Sequence, residues 1–458
     1  MSVTLIEKQH NPLLIKVRIN ESVNNEPGLF IWEDSLSKNI KYVDAVSLNE
    51  NTEYYSSINK NISFFENGIT FKVILLKGYR CLYSYEFKNL SFIKGKNVLY
   101  VSQNSYTGYS YAARNYIYQL LQSGYNVQWH DKFTTSDFYK PINEEEQLVF
   151  NCLNNKIDYD SVIIHHTPEA WKPIFDQTSR DTKVYGLTTW ETTKLHPTWV
   201  NFINNSVDEV IVPSKFNIET FKQSGVNKKL NLWYHDIFPF QTTNINSYSL
   251  YNRFIMFDGY QFVQNPSLIK TITQQNTVYY NISQYSNRKN ISQVINSFCT
   301  KFTSDDNVCL FIKTYLEFFT SKETDVLKYK MFNLLKQYDN PPKVIFCFEN
   351  LNNDEINTIH EIGDVYFTLN RGEGFGLCTY TAKKIGNKII CGKFGAEKEF
   401  LDDEDILLDY ELRSSDYLDD HNKFYIGNDQ QCAFYDTEYV VSRLKYFPKT
   451  IKQKYNIV

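Results

Sequence analysis

A glutamate set among three glycines, directly after a short apolar segment, constrains the fold of this chain more than any other feature. The group consists of Gly372, Glu373, Gly374 and Gly376. The apolar residues 365–369 before it predict a buried strand, and residues 378–385 after it predict a helix that Gly386 closes. A strand that turns through glycines into a helix is typical of an α/β fold and presents free backbone N–H groups at the turn.

The chemistry of this turn indicates a ligand that has both an anionic part and hydroxyl groups. Backbone N–H groups and the positive end of a helix dipole favour an anion, whereas the carboxylate of Glu373 favours hydroxyl donors. A phosphorylated sugar has both kinds of group. The alternative is an ordinary strand–loop–helix turn, in which the glycines serve the backbone and the glutamate is solvated.

The overall composition excludes several other classes of protein. At 458 residues the chain has room for two or three domains. Its 48 basic and 52 acidic residues give a net charge of −4, which does not favour nucleic acid or an anionic membrane as a partner. The sequence contains neither a signal-peptide pattern nor an apolar run of the roughly 18–20 residues that span a bilayer. We therefore expect a cytoplasmic protein without a transmembrane segment.

The eight cysteines indicate neither a disulfide framework nor a metal site. They form no Cys-x-x-Cys pair and mostly lie inside apolar runs, which is typical of reduced, buried thiols. Asp305 and Asp306 precede a predicted strand, so they are not placed as an acidic metal motif that follows one. We therefore predict no metal site and no cofactor.

The N-terminal part of the chain differs from the rest in its hydrophobic pattern. Residues 1–95 alternate between apolar and polar side chains, which predicts a β-rich N-terminal module with strands at 13–19, 28–32, 42–48 and 69–76. Two roles remain open for this module. It is either a packing or oligomerisation appendage or a carbohydrate-binding unit.

The remainder of the chain predicts two Rossmann-like domains with parallel sheets. Strands alternate with helices in residues 96–270 and again in residues 271–435. Residues 236–275 have no clear period and are predicted to contain the connection between the domains.

Residues 370–377, with the sequence Asn-Arg-Gly-Glu-Gly-Phe-Gly-Leu, resemble the donor-site signature of the group 1 (family-four) retaining glycosyltransferases, which have the GT-B fold. Residues 389–390 and 395–400 fall where the later parts of that signature belong. The resemblance extends over about residues 97–415. It also implies that the C-terminal helix within 436–458 crosses back and completes the first domain. Two positions depart from it, because Cys378 replaces a proline and Thr381 replaces a second glutamate.

The resemblance implies an α/β protein of GT-B type, with two facing Rossmann-like domains and a β-rich extension. Glu373 is then expected to bind hydroxyls of the transferred sugar. Residues expected to contact donor oxygens are Gly374, Phe375, Gly376, Leu377 and Gly108. Thr381 stands where a glutamate usually binds the ribose, and a threonine cannot accept two charged hydrogen bonds there. Glu397 or Glu399 could compensate, although Glu399 also fits a helix start.

Basic residues follow two predicted strands of the second domain, at the sheet edge where α/β folds bind ligands. They are Arg288, Lys289 and Lys313. Cleavage of a sugar–diphosphate bond leaves negative charge on the diphosphate, which preorganised cations stabilise. Lys289 matches the diphosphate-binding lysine of the family, whereas the usual arginine falls on Gln284, so Arg288 is its candidate substitute. Each of the three could instead be a solvated residue at a strand end.

The first domain offers a second set of candidate residues. His165 and His166 end a predicted strand and are expected to face the cleft, His165 toward the donor and His166 as a catalytic residue with Glu373 and Lys289. Trp190 and Glu191 occupy a comparable turn and are expected to contact the acceptor. A structural role is the alternative for each of these side chains.

The predicted function is transfer of a sugar, with retention of configuration and without a metal, from a UDP- or GDP-sugar to a hydroxyl group. The acceptor is expected to be a glycan, a protein or a lipid-linked sugar. One alternative is a GT-B protein that binds a sugar or nucleotide without turnover, which the Thr381 departure favours. Another is a structural protein that acts through residues 1–95, which could also form an oligomer. A GT-B epimerase or phosphorylase is a third.

Overall fold

The computed structural model describes residues 3–10, 13–19, 25–34, 40–49, 52–58, 69–76, 80–87, 90–135, 138–237, 247–317, 319–418, 423–427 and 429–449. Predictions that fall on other residues, among them 450–458 of the predicted C-terminal helix, lie outside this description. None of the described helices is both long and apolar enough to cross a membrane.

The described N-terminal residues form two antiparallel sheets. The sheets have the strand orders β1-β2-β5 and β4-β3-β6-β7. The strands are β1 (Val3–His10), β2 (Leu13–Ile19), β3 (Glu26–Asp34), β4 (Ile40–Leu48), β5 (Glu53–Ile58), β6 (Ile69–Leu75) and β7 (Arg80–Phe87). Alternate residues of β2 and β6 are buried, as the period-two pattern predicts. The predicted β-rich extension is confirmed.

A six-stranded parallel sheet follows, with the order β13-β12-β11-β10-β8-β9. Its strands are β8 (Asn97–Ser102), β9 (Asn126–Asp131), β10 (Ser161–His165), β11 (Lys183–Leu187), β12 (Glu209–Val212) and β13 (Lys229–Leu232). The helices of this part are α1 (Gly108–Gln122), α2 (Glu144–Asn151), α3 (Lys172–Phe175), α4 (Pro197–Ser206) and α5 (Lys215–Gln223). Every residue of β10 is buried, because helices cover both faces of the sheet.

A second, eight-stranded sheet has the order β15-β14-β18-β17-β16-β19-β20-β21. Its strands are β14 (Ile255–Phe257), β15 (Phe262–Val263), β16 (Thr277–Ile282), β17 (Val308–Lys313), β18 (Lys343–Cys347), β19 (Val365–Phe367), β20 (Lys388–Gly392) and β21 (Ile406–Leu408). Its helices are α6 (Ser247–Tyr251), α7 (Pro266–Gln275), α8 (Ile291–Lys301), α9 (Ser321–Leu335), α10 (Asn353–Ile362) and α11 (Leu377–Lys384). In the order of the sheet, the six strands β18-β17-β16-β19-β20-β21 are parallel to one another. Separate apolar clusters cover the two faces of this sheet.

The predicted fold class, α/β of GT-B type with two facing Rossmann-like domains and a β-rich extension, is confirmed by these sheets and by the cavity between them. Both parallel sheets contain a point at which the strand order reverses. In the first sheet this point lies between β8 and β10, and in the second it lies between β16 and β19. Ligands of doubly wound sheets bind outside the carboxyl ends of the strands at such points.

The second domain begins earlier than residue 271. Strand β14 pairs antiparallel with β18, where Met256 lies opposite Ile345. Helix α7 contributes Ile269 and Ile272 to the same core as Val278. The connection predicted over 236–275 is therefore wrong for residues 247–275. With three and two residues, β14 and β15 are too short to show a period in the sequence.

The described part of the C-terminal stretch packs on the second domain rather than completing the first. Helix α12 (Thr437–Arg443) lies against α8, and Val440 and Leu444 share a core with Val294. The segment before it does reach the first domain. It forms the hairpin β22 (Glu411–Ser414) and β23 (Gln431–Phe434). This segment contributes to the first domain's core with Leu418, Tyr425 and Cys432.

Candidate functional site

A cavity of about 560 Å³ lies between the two parallel sheets. From the first domain it is lined by the loop between β8 and α1 and by His165 at the end of β10. From the second domain it is lined by Lys313 at the end of β17 and by the glycine loop that follows β19. The cavity therefore adjoins the reversal points of both sheets. No three His, Cys, Asp or Glu side chains among the described residues are placed to hold a metal ion.

The glycine loop touches the first domain directly. A Cβ atom on Gly374 would lie 1.8 Å from Thr189 Oγ1 and 2.8 Å from the Trp190 carbonyl oxygen. Ser214 Oγ also donates a 2.7 Å hydrogen bond to the Gly374 carbonyl oxygen. Gly376, with a φ angle of 87°, is the N-cap of α11. Gly374 thus serves the contact between the domains, whereas Gly376 forms the turn into the helix.

Glu373 is buried in this loop and paired with two cations of the turn before α8. Lys289 Nζ contacts Glu373 Oε1, and Arg288 Nη1 lies 3.2 Å from the same oxygen. Arg288 Nη1 also donates to the Gly372 carbonyl oxygen at 2.8 Å. Burial alone would raise the pKa of Glu373, but the neighbouring Lys289 and Arg288 lower it overall. The structure thus brings together the three residues that the sequence predicted on separate segments.

Glu191 extends this charge cluster into the first domain. Its Oε1 atom lies 3.9 Å from Arg288 Nη2, and its Oε2 atom accepts a 2.9 Å hydrogen bond from Tyr425 Oη. Burial raises the pKa of Glu191, although Arg288 opposes the shift. Because Glu191 lines the cavity, its carboxylate is available to a ligand at the first-domain side.

Lys313 is a second kind of cation in the cavity. Only 4% of its surface is exposed, and its ammonium lies 4.6 Å from the ring centroid of Tyr315 and 4.7 Å from that of Phe319. Among the described residues, no carboxylate forms an ion pair with it. Burial lowers the pKa of Lys313 to about 8. The side chain can therefore neutralise a bound anion near neutral pH.

Glu397 lines the same cavity as Thr381, the residue that stands in place of the second glutamate. Thr379 Oγ1 donates to Glu397 Oε1, and Asn370 Nδ2 donates to Oε2 at 2.7 Å. Burial, together with the charge of Glu373, raises the pKa of Glu397 to about 7. Thr381 itself also lines the cavity.

Glu399, the other candidate substitute, has a structural position. Its two carboxylate oxygens accept hydrogen bonds from the backbone N atoms of Lys215 and Phe216, at 2.9 and 2.7 Å. Tyr234 Oη donates to it at 3.1 Å. The carboxylate therefore caps the N-terminus of α5 in the first domain, where the helix dipole favours negative charge.

Replacing Glu399 with alanine is expected to lower the free energy of unfolding by about 1–3 kcal/mol, because two charge-assisted hydrogen bonds at a helix end are lost. Chemical denaturation of the purified variant measures the change. Glu404→Ala is the matched control, since that carboxylate is exposed and forms a surface ion pair with Lys388, so its effect should be near zero. Equal stability of the two variants would contradict the contact between the domains.

His165 lines the cavity and is accompanied by a histidine that the sequence analysis missed. Tyr100 Oη lies 2.8 Å from His165 Nδ1. His235 also lines the cavity, with its ring 4.8 Å from that of Phe375, and its buried Nδ1 atom has no hydrogen-bond partner among the residues that the structure describes. Burial lowers the pKa of both residues, that of His235 to about 3. Both imidazoles are therefore neutral near pH 7.

Two predicted site residues lie away from the cavity. His166 follows β10 and packs its ring 4.2 Å from that of Phe133. Trp190 is fully buried and donates through Nε1 to Thr192 Oγ1 at 2.7 Å and to the Lys194 carbonyl oxygen at 2.9 Å. The sequence could not show this, because neighbouring residues at a strand end point in different directions. His166 and Trp190 are structural in this arrangement.

The remaining predicted residues line the cavity. They are Gly108, Phe375 and Leu377. Besides His235, sequence reasoning missed Arg114, whose only signal is a charged residue within the largely uncharged helix α1. His235 follows β13 in a stretch without a recognisable motif.

No protein-family profile and no curated protein matches this chain. Solved structures do match it, in 197 chains. A sucrose-phosphate synthase from Thermosynechococcus elongatus has 12% sequence identity and a TM-score of 0.48, with 72% of this chain and 88% of that chain covered. The N-terminal domain of a trehalose-6-phosphate phosphatase from Candida albicans has 9% identity and a TM-score of 0.44, with 71% and 88% covered.

A third similar structure is an α,α-trehalose-phosphate synthase from Burkholderia xenovorans in complex with glucose-6-phosphate. It has 9% identity and a TM-score of 0.39, and 54% of this chain matches 62% of that chain. All three identities are 12% or lower and all three TM-scores are below 0.5, so these similarities do not show the function of this chain.

Proposed function

We propose that this chain is a glycosyltransferase that moves a sugar from a nucleotide diphosphate sugar to a hydroxyl acceptor with retention of configuration. The observation that carries the proposal is the buried contact of Glu373 with Lys289 and Arg288 at the reversal point of the second sheet. A diphosphate matches the two cations, and the sugar hydroxyls match the carboxylate. A neutral sugar would use only the carboxylate of this site, and free phosphate would use only the two cations.

In the proposed reaction, the bond between the anomeric carbon and the diphosphate oxygen breaks. A bond to the acceptor oxygen forms on the same face, and the acceptor proton passes to the departing phosphate oxygen. Lys289 and Arg288 stabilise the charge that develops on the diphosphate, with Lys313 as a further cation. Glu373 orients the sugar, and the contact between the domains keeps water from the reacting carbon.

The alternative is a protein that binds a nucleotide sugar without turnover. The presence of Thr381 in place of a glutamate supports it, because a threonine supplies weaker binding to a ribose diol. Glu397 lines the same cavity, but Asn370 and Thr379 already donate to its two oxygens. The two functions differ in one measurable property, which is the release of free nucleotide.

The proposal is tested by screening UDP- and GDP-sugars for a rise in melting temperature, and then measuring nucleotide release with and without candidate acceptor sugars. We expect one donor to stabilise the protein and to be hydrolysed slowly without an acceptor. Stabilisation without release would support the binding protein instead. A chain that no nucleotide sugar stabilises or reacts with would contradict both functions.

Lys313 is expected to make donor binding depend on pH. Because its pKa is about 8, the ammonium is mostly charged at pH 7 and mostly neutral at pH 9. The affinity for UDP should therefore fall as the pH rises through 8, by up to about tenfold per pH unit for one proton. Calorimetric titration between pH 6.5 and 9.5 measures this change.

Lys313→Gln should bind UDP more weakly at pH 7 and lose the fall in affinity near pH 8. Glu397 also titrates in this pH range, since burial raises its pKa to about 7. The variant Glu397→Gln removes this second titration, so the effect of Lys313 can be measured alone. A pH profile that is the same in the wild type and in Lys313→Gln would show that Lys313 does not contact the diphosphate.

A further inference from the structure

Arg114 is a buried arginine in the cavity wall, on helix α1 of the first domain. Only 1% of its surface is exposed. It lines the cavity together with Gln103, Tyr106 and Thr107 from the loop before the helix. A buried guanidinium is ordinarily paired with a carboxylate, because an unpaired charge in the protein interior is costly.

The partners of Arg114 are uncharged. Its Nη1 atom donates to the Ser105 carbonyl oxygen at 2.9 Å and to Asn104 Oδ1 at 3.4 Å. The guanidinium carbon lies 3.8 Å from the centroid of the Tyr139 ring, and Nε has no hydrogen-bond partner among the described residues. Within that part of the chain, these contacts fix the position of the side chain but neither neutralise its charge nor use this buried donor.

The acidic residue that influences Arg114 is committed to other groups. Glu146 is fully buried and acts on Arg114 electrostatically without forming an ion pair with it among the described contacts. Tyr139 Oη donates to both of its oxygens at 3.0 Å, and the backbone N of Ile142 donates at 3.0 Å. Asn353 Nδ2 of the second domain donates at 2.6 Å. The Glu146 carboxylate is thus satisfied by neutral donors.

The surroundings of Arg114 suit a polar ligand with one anionic group. Gln103 and Thr107 line the cavity on the same side, and Asn353 and Asn357 of α10 line it from the second domain. These amides and hydroxyls bind uncharged polar groups, so Arg114 is the charged group of this set. The Arg288 and Lys289 pair belongs to the second domain and already contacts Glu373.

We propose that Arg114 forms a second anion subsite in the cavity, which binds a phosphate or carboxylate group of a ligand. In the context of the proposed function, on which this assignment rests, the anion belongs either to a charged acceptor sugar or to the nucleotide. The binding step itself does not require that sugar transfer occurs. It can therefore be measured separately from turnover.

The test is calorimetric binding to wild type, Arg114→Gln and Arg114→Lys. Three probes with the same ring form the acceptor arm: glucose 6-phosphate, glucuronate and glucose. UDP and uridine form the nucleotide arm. We expect wild type to bind the anionic member of one arm more tightly than its neutral partner, and Arg114→Gln to reduce that preference about tenfold or more. Arg114→Lys should retain part of it, because it keeps the charge.

The arms identify the source of the anion. A loss confined to glucose 6-phosphate or glucuronate assigns the subsite to the acceptor, and a loss confined to UDP assigns it to the nucleotide. Arg443→Gln is the matched control, since that arginine is exposed and does not line the cavity. If circular dichroism shows that Arg114→Gln does not fold, the test relies on Arg114→Lys. The ratio of its affinities for the anionic and the neutral probe of each arm is then compared with the ratio in the wild type.

Two results would overturn the inference. One is a wild type without preference for an anion in either arm. The other is an Arg114 variant that weakens charged and neutral probes equally, which would show that the arginine only holds the loop at Ser105. Either result leaves the proposed function intact if a nucleotide sugar is still turned over. Failure of turnover with an intact anion preference would contradict only the proposed function.

Discussion

Glu373→Gln is expected to reduce sugar transfer about ten- to a hundredfold while leaving the affinity for UDP unchanged or higher. The carboxylate is proposed to accept hydrogen bonds from the sugar, and charge-assisted bonds of this kind contribute about 1.5–3 kcal/mol. In the structure the same carboxylate neutralises Lys289 and Arg288. Its removal therefore takes away sugar binding and at the same time frees two cations for the diphosphate.

The relevant measurement is the ratio of the affinities for a UDP-sugar and for UDP, together with kcat for transfer. Wild type should prefer the UDP-sugar, and Glu373→Gln should bind both ligands about equally. Glu404→Gln, an exposed carboxylate outside the cavity, serves as the control. A variant that keeps both the preference and the rate would show that Glu373 does not contact the sugar.

Gly374→Ala is expected to lower the melting temperature clearly and to abolish most transfer. The added methyl group would lie 1.8 Å from Thr189 Oγ1 and 2.8 Å from the Trp190 carbonyl oxygen. The Thr189 side chain can rotate away from the methyl group, but the Trp190 carbonyl oxygen cannot. The two domains must therefore separate, or the glycine loop must shift. Either change moves Glu373, which directly precedes Gly374 in the chain.

Differential scanning calorimetry and a transfer assay measure this effect. For stability, Gly108→Ala is the matched control, because a Cβ atom at that glycine would meet nothing within 4 Å and its melting temperature should be preserved. A Gly374→Ala variant as stable as Gly108→Ala would mean that the glycine loop does not rest against Thr189 in solution.

Features that depend on neighbouring residues in the chain were predictable. Asn352 and Glu355 have the spacing of a capping box, a pattern that can be read from four consecutive residues, and the structure contains both of its hydrogen bonds, each at 2.9 Å. Gly386 has a φ angle of 83° after α11, as its predicted position at the end of a helix requires. The alternation of strands and helices likewise predicted both parallel sheets.

Features that depend on contacts between distant segments of the chain were not predictable from the sequence. Nothing in the residues around Gly374 indicates that Thr189 lies against it, and nothing near Glu399 indicates that it caps α5. Arg114 and His235 reach the cavity only because the first sheet places α1 and the end of β13 beside it. The direction of His166, which turns away where His165 turns in, depends on packing against Phe133.

The ion pairs of Glu373 with Lys289 and Arg288 affect which molecules bind stably in the cleft. Under the proposed function, a diphosphate that binds Lys289 and Arg288 leaves the Glu373 carboxylate without its two counter-ions, so a nucleoside diphosphate alone replaces one ionic contact with another. A sugar on the same diphosphate offers its hydroxyls to the released acid and completes the exchange. After sugar transfer, the nucleoside diphosphate would be released as Glu373 pairs again with Lys289 and Arg288. Re-formation of these ion pairs would therefore favour product release.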